Sequence, residues 1–191
     1  MIGVIQRELQ EAICVKKAAL ALSEKVEKAA NILIQSLSHG GTIFLCGNGG
    51  SAADAQHLAA ELVGRFERNR RALPAMALTV DTSIMTAVAN DFGYEEIFVR
   101  QLEGLAEPGD VLVGISTSGR SSNVVKAMKW GRENNLETIG MTGEKGGDMA
   151  PFSSVLLAAP SPHTPRIQEL HITWGHILCK LVEEALFPHE P

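Results

Sequence analysis

Residues 44–62 read FLCGNGGSAADAQHLAAEL, an apolar run that passes through a glycine-rich turn into a segment with helical spacing. Gly47 to Ala52 fits the pattern G-x-G-x-x-A, a permitted form of the dinucleotide-binding fingerprint. The three glycines let the backbone turn tightly and approach a ligand closely. We expect Ser51 to cap the following helix, whose amino end favours an anion. The stretch predicts a strand, a loop and a helix, and the loop could bind a nucleotide, bind a sugar phosphate or be only a capped turn.

The rest of the chain repeats this alternation of strands and helices. We predict strands at 42–46, 75–78, 111–115, 138–141 and 155–158, and helices at 51–66, 82–89, 95–105, 122–134 and 165–187. This alternation is typical of an α/β fold, a three-layer sandwich in which a central parallel sheet of about five strands is flanked by helices. In such sheets, ligands bind beyond the carboxyl ends of the strands, so the loops that follow strands matter most.

The first part of the chain differs from this pattern. Apolar residues recur at steps of three, four and six over residues 4–38, which predicts one amphipathic helix that ends at His39-Gly40-Gly41. Such a helix would be about 50 Å long, which is longer than a small domain needs. We expect a single domain over residues 1–191, with residues 1–40 forming a helix that packs on another subunit.

Composition excludes several classes of protein. The 191 residues carry a net charge of −5, whereas a nucleic-acid-binding domain usually has a basic excess. No apolar run reaches the roughly 20 residues needed to cross a bilayer, and charges near the N-terminus argue against a signal peptide. We expect Cys14, Cys46 and Cys179 to be reduced core residues, which favours the cytoplasm.

A second loop that follows a strand is rich in hydroxyl groups. Residues 116–122 read STSGRSS, with five hydroxyls in seven residues before a predicted helix. Hydroxyls and backbone amides can bind phosphate oxygens without a lysine. A dinucleotide site would need an acidic residue that follows the next strand, about 20 positions after the glycines. The nearest candidate there, Asp81, is 34 positions after Gly47. The two loops together therefore favour an anionic ligand other than a dinucleotide.

Two predicted helices carry candidate metal ligands and acid–base groups. His57 and Glu61 are four residues apart and share a helix face, which suits zinc binding or proton transfer, although a solvated hydrogen bond is the plainer alternative. On the last helix, Gln168 and His176 lie about 80° apart with a rise of about 12 Å. Either long side chains converge on one site or two subunits contribute to it. His171 lies about 140° from His176 and is not expected to share its site.

For other polar residues, the sequence gives weaker evidence of a role in ligand binding. Asn90 and Asp91 precede Gly93 and fit a helix C-cap, although this loop could also face the ligand. A basic cluster, Arg65, Arg68, Arg70 and Arg71, is either a solvated loop or a surface that attracts a phosphorylated substrate. His39, His163 and His189 have no supporting context and are expected to be exposed.

Four segments in order, CGNGGSAADAQHLAAEL, AVANDFG, GISTSGRSSN and PRIQELHITWGHIL, closely resemble the sugar isomerase (SIS) domain family. Within it they are similar to the enzymes that isomerise sedoheptulose 7-phosphate, and the resemblance covers nearly the whole chain. It implies conversion to D-glycero-D-manno-heptose 7-phosphate through an enediol, in bacterial heptose biosynthesis. It also implies a zinc ion and a homotetramer with sites at subunit interfaces.

The resemblance also implies individual roles. The zinc ligands would be His57, Glu61, Gln168 and His176. The substrate contacts would be Asn48, Gly49, Gly50, Ser51, Glu61, Asn90, Asp91, Ser116, Thr117, Ser118, Ser121 and Gln168. Glu61 would act as the base and His176 as its acid partner. Thr164-Pro165 stands where some relatives have Ala-Asp, so any role of that aspartate is absent here.

Two other functions remain as alternatives. One is a non-enzymatic relative that binds the bacterial replication initiator as a tetramer, and the other is a regulator that senses sugar phosphates. Neither needs an acid–base pair, so the presence of both Glu61 and His176 favours catalysis.

Overall fold

A computed structural model describes residues 1–188, so His189 and the last residues of the expected domain lie outside the described residues. Five parallel strands form one sheet: β1 (Ile43–Gly47), β2 (Ala75–Ala77), β3 (Val111–Ile115), β4 (Glu137–Gly143) and β5 (Val155–Ala159). Their spatial order is β2-β1-β3-β4-β5, with Ile43 of β1 in register with Ala75 and Val111. The predicted parallel sheet is confirmed.

The helices are α1 (Ile2–Ala19), α2 (Ser23–Ser38), α3 (Gly50–Val63), α4 (Thr82–Phe92), α5 (Val99–Leu105), α6 (Ser122–Glu133) and α7 (Thr164–Leu186). Successive strand residues point to opposite faces of the sheet, so Ile43 and Leu45 join a core with α2, α3 and α7, and Phe44 and Cys46 join a second core with α5 and α6. Two cores on opposite faces confirm the three-layer sandwich. None of the helices over residues 1–188 is long and apolar enough to cross a membrane.

The N-terminal helical segment extends from Ile2 to Ser38, as expected, but it is interrupted. A 3-10 turn at Leu20–Leu22 separates α1 from α2, and the Ser23 hydroxyl donates to the Leu20 carbonyl at 2.7 Å. A serine hydroxyl that bonds a nearby carbonyl competes with regular helical hydrogen bonding. The predicted helix at 95–105 also begins later, because a 3-10 turn occupies Tyr94–Glu96.

The strand order determines where a ligand can bind. The chain proceeds from β1 to β2 on one side and then returns to β3 on the other, so the order reverses between β1 and β3. Ligands of open α/β sheets bind in the crevice beyond the carboxyl ends of the strands at such a reversal. The glycine-rich loop follows β1 and the hydroxyl-rich loop follows β3, so both border this crevice.

Candidate functional site

The glycine-rich loop after β1 makes the sharp turn that its sequence predicts. Gly49 has φ +57°, and the amides of Ala52 and Ala53 donate to its carbonyl, so Gly49 is the N-cap of α3. The expectation that Ser51 caps the helix is wrong. Because the helix begins at Gly50, Ser51 already lies in its first turn and is buried.

A pair of asparagines joins the two loops. Asn48 donates its Nδ2 hydrogen to Oδ1 of Asn123, and Asn123 donates back to Oδ1 of Asn48, each at 2.9 Å. The Tyr94 hydroxyl donates to the same Asn48 oxygen at 3.1 Å. Sequence reasoning missed Asn123, although its place just after the hydroxyl-rich loop was a usable signal. The reciprocal amide pair holds the loops after β1 and β3 at a fixed separation.

The side chains of the hydroxyl-rich loop turn inward on one another. Ser116 Oγ lies 3.0 Å from Ser121 Oγ and 3.4 Å from Ser118 Oγ. A 3-10 turn at Gly147–Phe152 supports the loop, because the Met149 amide donates to the Gly119 carbonyl at 3.1 Å. Several convergent hydroxyls in a braced loop before the N-terminus of α6 form a suitable receptor for an anion.

Asn90 and Asp91 lie at the exposed C-terminal end of α4, where Gly93 is the C-cap as predicted. Asn90 donates to Asp91 Oδ1 at 2.8 Å, and among the described residues no hydrogen bond links either side chain to the two loops. Tyr94, three residues later, does reach Asn48, so this turn lies beside the glycine-rich loop.

Helices α3 and α7 bring three side chains together. His57 Nε2 lies 2.9 Å from His176 Nε2 and 3.3 Å from Glu61 Oε1. One ligand atom from each of the three residues lies within 4.8 Å of the other two. His57 is exposed, and the other two are half-buried. These residues form a cluster that is open to a substrate.

The packing of α3 against α7 explains this convergence. Gly175 lies so close to Leu58 that a Cβ at this position would come within 2.5 Å of the leucine side chain. At the start of the two helices, a Cβ on Gly50 would clash with the Gln168 amide. The helices therefore run side by side, and a single chain supplies all three members of the cluster. The Gln168 amide lies against Gly50, so it is nearer the glycine-rich loop than the cluster.

The cluster suits a divalent metal. Imidazole nitrogens and a carboxylate oxygen are typical zinc ligands, and catalytic zinc sites commonly use three protein ligands and leave one position open. Two nitrogens bound to one tetrahedral zinc lie about 3.3 Å apart. The two imidazole nitrogens of His57 and His176 are 2.9 Å apart, so a small ring rotation would accommodate the ion.

Asp54 is a further carboxylate that sequence reasoning missed. It lies on α3 one turn before His57, between the glycine-rich loop and the cluster, and its Oδ2 is buried with no hydrogen-bond partner among the described residues. Burial raises the pKa of the Asp54 carboxyl, and the nearby His57 and His176 only partly oppose this. Its spacing of three from His57 was the available signal.

One of two other expectations is confirmed, and the other is wrong in part. His171 is buried, stacks on Trp174 and contacts the Thr142 carbonyl, so it is separate from His176, as predicted. Cys14 is exposed, so the expectation that all three cysteines lie in the core is wrong for it. On α1 it projects outside the cores that contain the other two thiols.

In the basic cluster, Arg65 and Arg71 are exposed, as expected for a solvated loop, but Arg70 is not. The Arg70 side chain is fully buried and donates through Nε to Glu183 Oε1 at 2.9 Å. Its other nitrogens donate to the carbonyls of Glu61 and Leu62 at 2.8 Å. Burying an arginine requires a partner charge, and sequence reasoning could not foresee that Glu183 on α7 supplies it.

Comparison with known proteins identifies the family of this chain. A family model described as the SIS domain matches residues 10–143. The chain belongs to the SIS domain family. A phosphoheptose isomerase from Aliarcobacter butzleri is 49% identical over 184 residues, covering 96% of this chain and 97% of that protein. One from Akkermansia muciniphila is 53% identical over 171 residues, covering 90% of each chain. The solved phosphoheptose isomerase from Neisseria gonorrhoeae is 44% identical, covers 95% of this chain and 98% of its own, and has a TM-score of 0.90.

Proposed function

We infer that this member of the SIS domain family is an aldose–ketose isomerase that converts sedoheptulose 7-phosphate to D-glycero-D-manno-heptose 7-phosphate in bacterial heptose biosynthesis. The observation that carries the inference is the His57–Glu61–His176 cluster. His57 and Glu61 lie on the helix that starts at the glycine-rich loop, and His176 lies on α7 beside it. Near-full-length similarity to phosphoheptose isomerases supports the same activity.

The two ends of the substrate match two parts of the site. The phosphate would bind the hydroxyls of Ser116, Ser118 and Ser121 together with Thr117, and the sugar hydroxyls would bind Asn48, Gly49, Gly50 and Ser51. Gly50 and His57 are seven positions apart on α3, which is a rise of about 10 Å at about 1.5 Å per residue. An extended seven-carbon sugar with a terminal phosphate has a comparable length, so its carbonyl end would reach the cluster. Asn90, Asp91 and Gln168 remain proposed substrate contacts.

Isomerisation needs two proton transfers, and the cluster offers a group for each. The Glu61 carboxylate would take a proton from C1 of the ketose to give the enediol and return it to C2. The His176 imidazole would move the hydroxyl proton from the oxygen on C1 to the oxygen on C2. His57, whose Nε2 lies 2.9 Å from His176 Nε2 and 3.3 Å from Glu61 Oε1, would orient them.

We propose zinc as the metal, held by His57, Glu61 and His176. The amide oxygen of Gln168 would be the fourth ligand once its side chain turns from Gly50 toward the cluster. A bound zinc ion would polarise the substrate carbonyl and make the neighbouring C–H bond more acidic. Glu61 is a weaker base while it binds a metal, and an imidazole nitrogen that binds a metal cannot also carry a proton. The metal-binding and proton-transfer roles of Glu61 and His176 therefore compete and would operate in turn. The free thiols of Cys46 and Cys179 agree with a reducing cytoplasmic location.

We also propose a homotetramer. The α1 residues Ile2, Ile5, Leu9 and Ile13 recur at helical spacing and are all exposed. Soluble monomers rarely leave a continuous apolar stripe uncovered, so contact with another copy of the chain is the simplest explanation. A tetramer alone would also suit the alternative of a replication-initiator-binding relative, but that function would not use the cluster.

The test is turnover of sedoheptulose 7-phosphate by the zinc-loaded protein, followed by NMR. Glu61→Gln should abolish turnover and leave the assembly folded, because it keeps the side-chain shape and removes the base. Glu67→Gln, a change outside the cluster, is the matched control. A fully active Glu61→Gln variant would reject the base, and full activity after exhaustive chelation would reject the metal.

A further inference from the structure

The loop that joins α3 to β2 is anchored to α7 by one buried carboxylate. Glu183 accepts the backbone amides of Phe66, Glu67 and Arg68 at 2.7, 2.8 and 3.0 Å. It also pairs with Arg70, and neither of these two side chains is more than 2% exposed. Burial by itself would raise the pKa of the Glu183 carboxyl, but the three amides and Arg70 outweigh it and leave the pKa below its ordinary value.

The Arg70–Glu183 pair also holds the end of α3. Arg70 donates to the carbonyls of Glu61 and Leu62, which lie in the last turn of the helix and lack partners within it. Glu61 itself belongs to the proposed catalytic cluster. The backbone that carries this carboxylate is therefore fixed to α7 through Arg70 and Glu183.

Glu183 also holds Phe66, whose ring contacts the cluster. Phe66, whose amide donates to Glu183, stacks on the His176 imidazole with 5.5 Å between ring centroids and 23° between ring planes. This stacking covers one face of the imidazole, and the Nε2 atom is directed at His57. A displaced Phe66 would leave the His176 ring free to rotate away.

We propose that Glu183, Arg70 and Phe66 are positioning residues for the cluster. Glu183 and Arg70 fix the loop and the end of α3. Phe66, which Glu183 holds in place, fixes the orientation of the His176 ring by stacking on it. The proposal builds on the proposed function, because it concerns the same cluster, but it makes a separate claim about what orients the ligands. Removing an outer-shell partner of a metal ligand typically lowers metal affinity or activity by about 10- to 100-fold.

The first experiment replaces Phe66. Phe66→Leu keeps an apolar side chain and removes the ring, so we expect roughly tenfold weaker zinc binding and at least tenfold lower kcat, with KM changed less than about threefold. Phe66→Tyr should restore both values. Glu67→Gln is the matched control, because Glu67 links the same loop to α7 through an exposed ion pair with Lys180 at 2.9 Å. Wild-type zinc affinity and kcat in Phe66→Leu would overturn the proposal.

The second experiment needs neither metal nor turnover. In the metal-free protein, the Phe66 ring should shift the His176 ring protons upfield in the NMR spectrum. Phe66→Leu and Glu183→Gln should both lose this shift, and Glu67→Gln should keep it. If Glu183→Gln does not fold, Phe66→Leu decides the result. A wild-type protein that shows the shift but does not turn over the heptose would reject the proposed function and leave the positioning role intact, whereas unchanged shifts in Phe66→Leu would reject that role.

Discussion

His171 makes the stability of this protein depend on pH in a way that can be calculated. The imidazole is completely buried, and its Nε2 hydrogen is donated to the Thr142 carbonyl at 3.0 Å. Nδ1 then has no partner among the described residues. Burial lowers the pKa of His171 from 6.5 to about 4, and the bond to Thr142 opposes this only in part.

The direction of the effect follows from proton binding. Between pH 6.5 and about 4, the unfolded chain binds a proton at His171 that the folded chain does not, so the free energy of unfolding falls as the pH falls. The full difference is about 3 kcal/mol at 1.36 kcal/mol per pKa unit, of which about 2 kcal/mol is lost between pH 7.5 and pH 5. Above pH 7.5, titration of His171 should no longer change the free energy of unfolding.

The assay is urea unfolding at fixed protein concentration across this pH range. His171→Phe removes the titrating group and keeps a ring beside Trp174, so the wild type should lose about 2 kcal/mol relative to it between pH 7.5 and pH 5. His39→Gln, at an exposed position, should follow the wild type. A wild type and a His171→Phe variant with parallel pH profiles would refute the reasoning.

Two further predictions concern close packing and thiol reactivity. Gly50→Ala should push the Gln168 amide away from the start of α3 and lower kcat/KM by 10-fold or more with the fold kept, whereas Gly3→Ala, where a Cβ meets nothing, should be silent. Wild-type kcat/KM in Gly50→Ala would show that Gln168 has no role. Burial raises the thiol pKa of both Cys46 and Cys179 to about 12, so only Cys14 should react quickly with a thiol reagent until urea exposes the rest. Three fast thiols in the folded protein would contradict this burial.

The sheet could be predicted from the sequence because most of its strands are short apolar runs bounded by turn residues. The crevice between β1 and β3 depends on strand order, which local periodicity does not contain. The two loops were nevertheless recognisable, because residue types such as glycine and serine report the backbone geometry and hydrogen bonding that a loop needs.

The features that periodicity missed are long-range. Asn123 pairs with Asn48 across 75 positions, and Glu183 pairs with Arg70 across 113. Nothing local distinguishes Glu183 from an exposed glutamate on the same helix. Similarly, Ser51 looked like a cap because serine favours that position, but the glycine before the helix had already taken the role. Tertiary contacts decided the two pairings, and local backbone geometry decided the cap.

Removal of a C1 hydrogen from sedoheptulose 7-phosphate by the protein tests the central claim most directly. In D2O, proton NMR of the zinc-loaded protein with this ketose should show stereospecific loss of one C1 hydrogen signal, in step with the appearance of the aldose. Glu61→Gln should show neither change. A ketose that keeps both C1 hydrogens and yields no aldose with the metal-loaded wild-type protein would contradict the account.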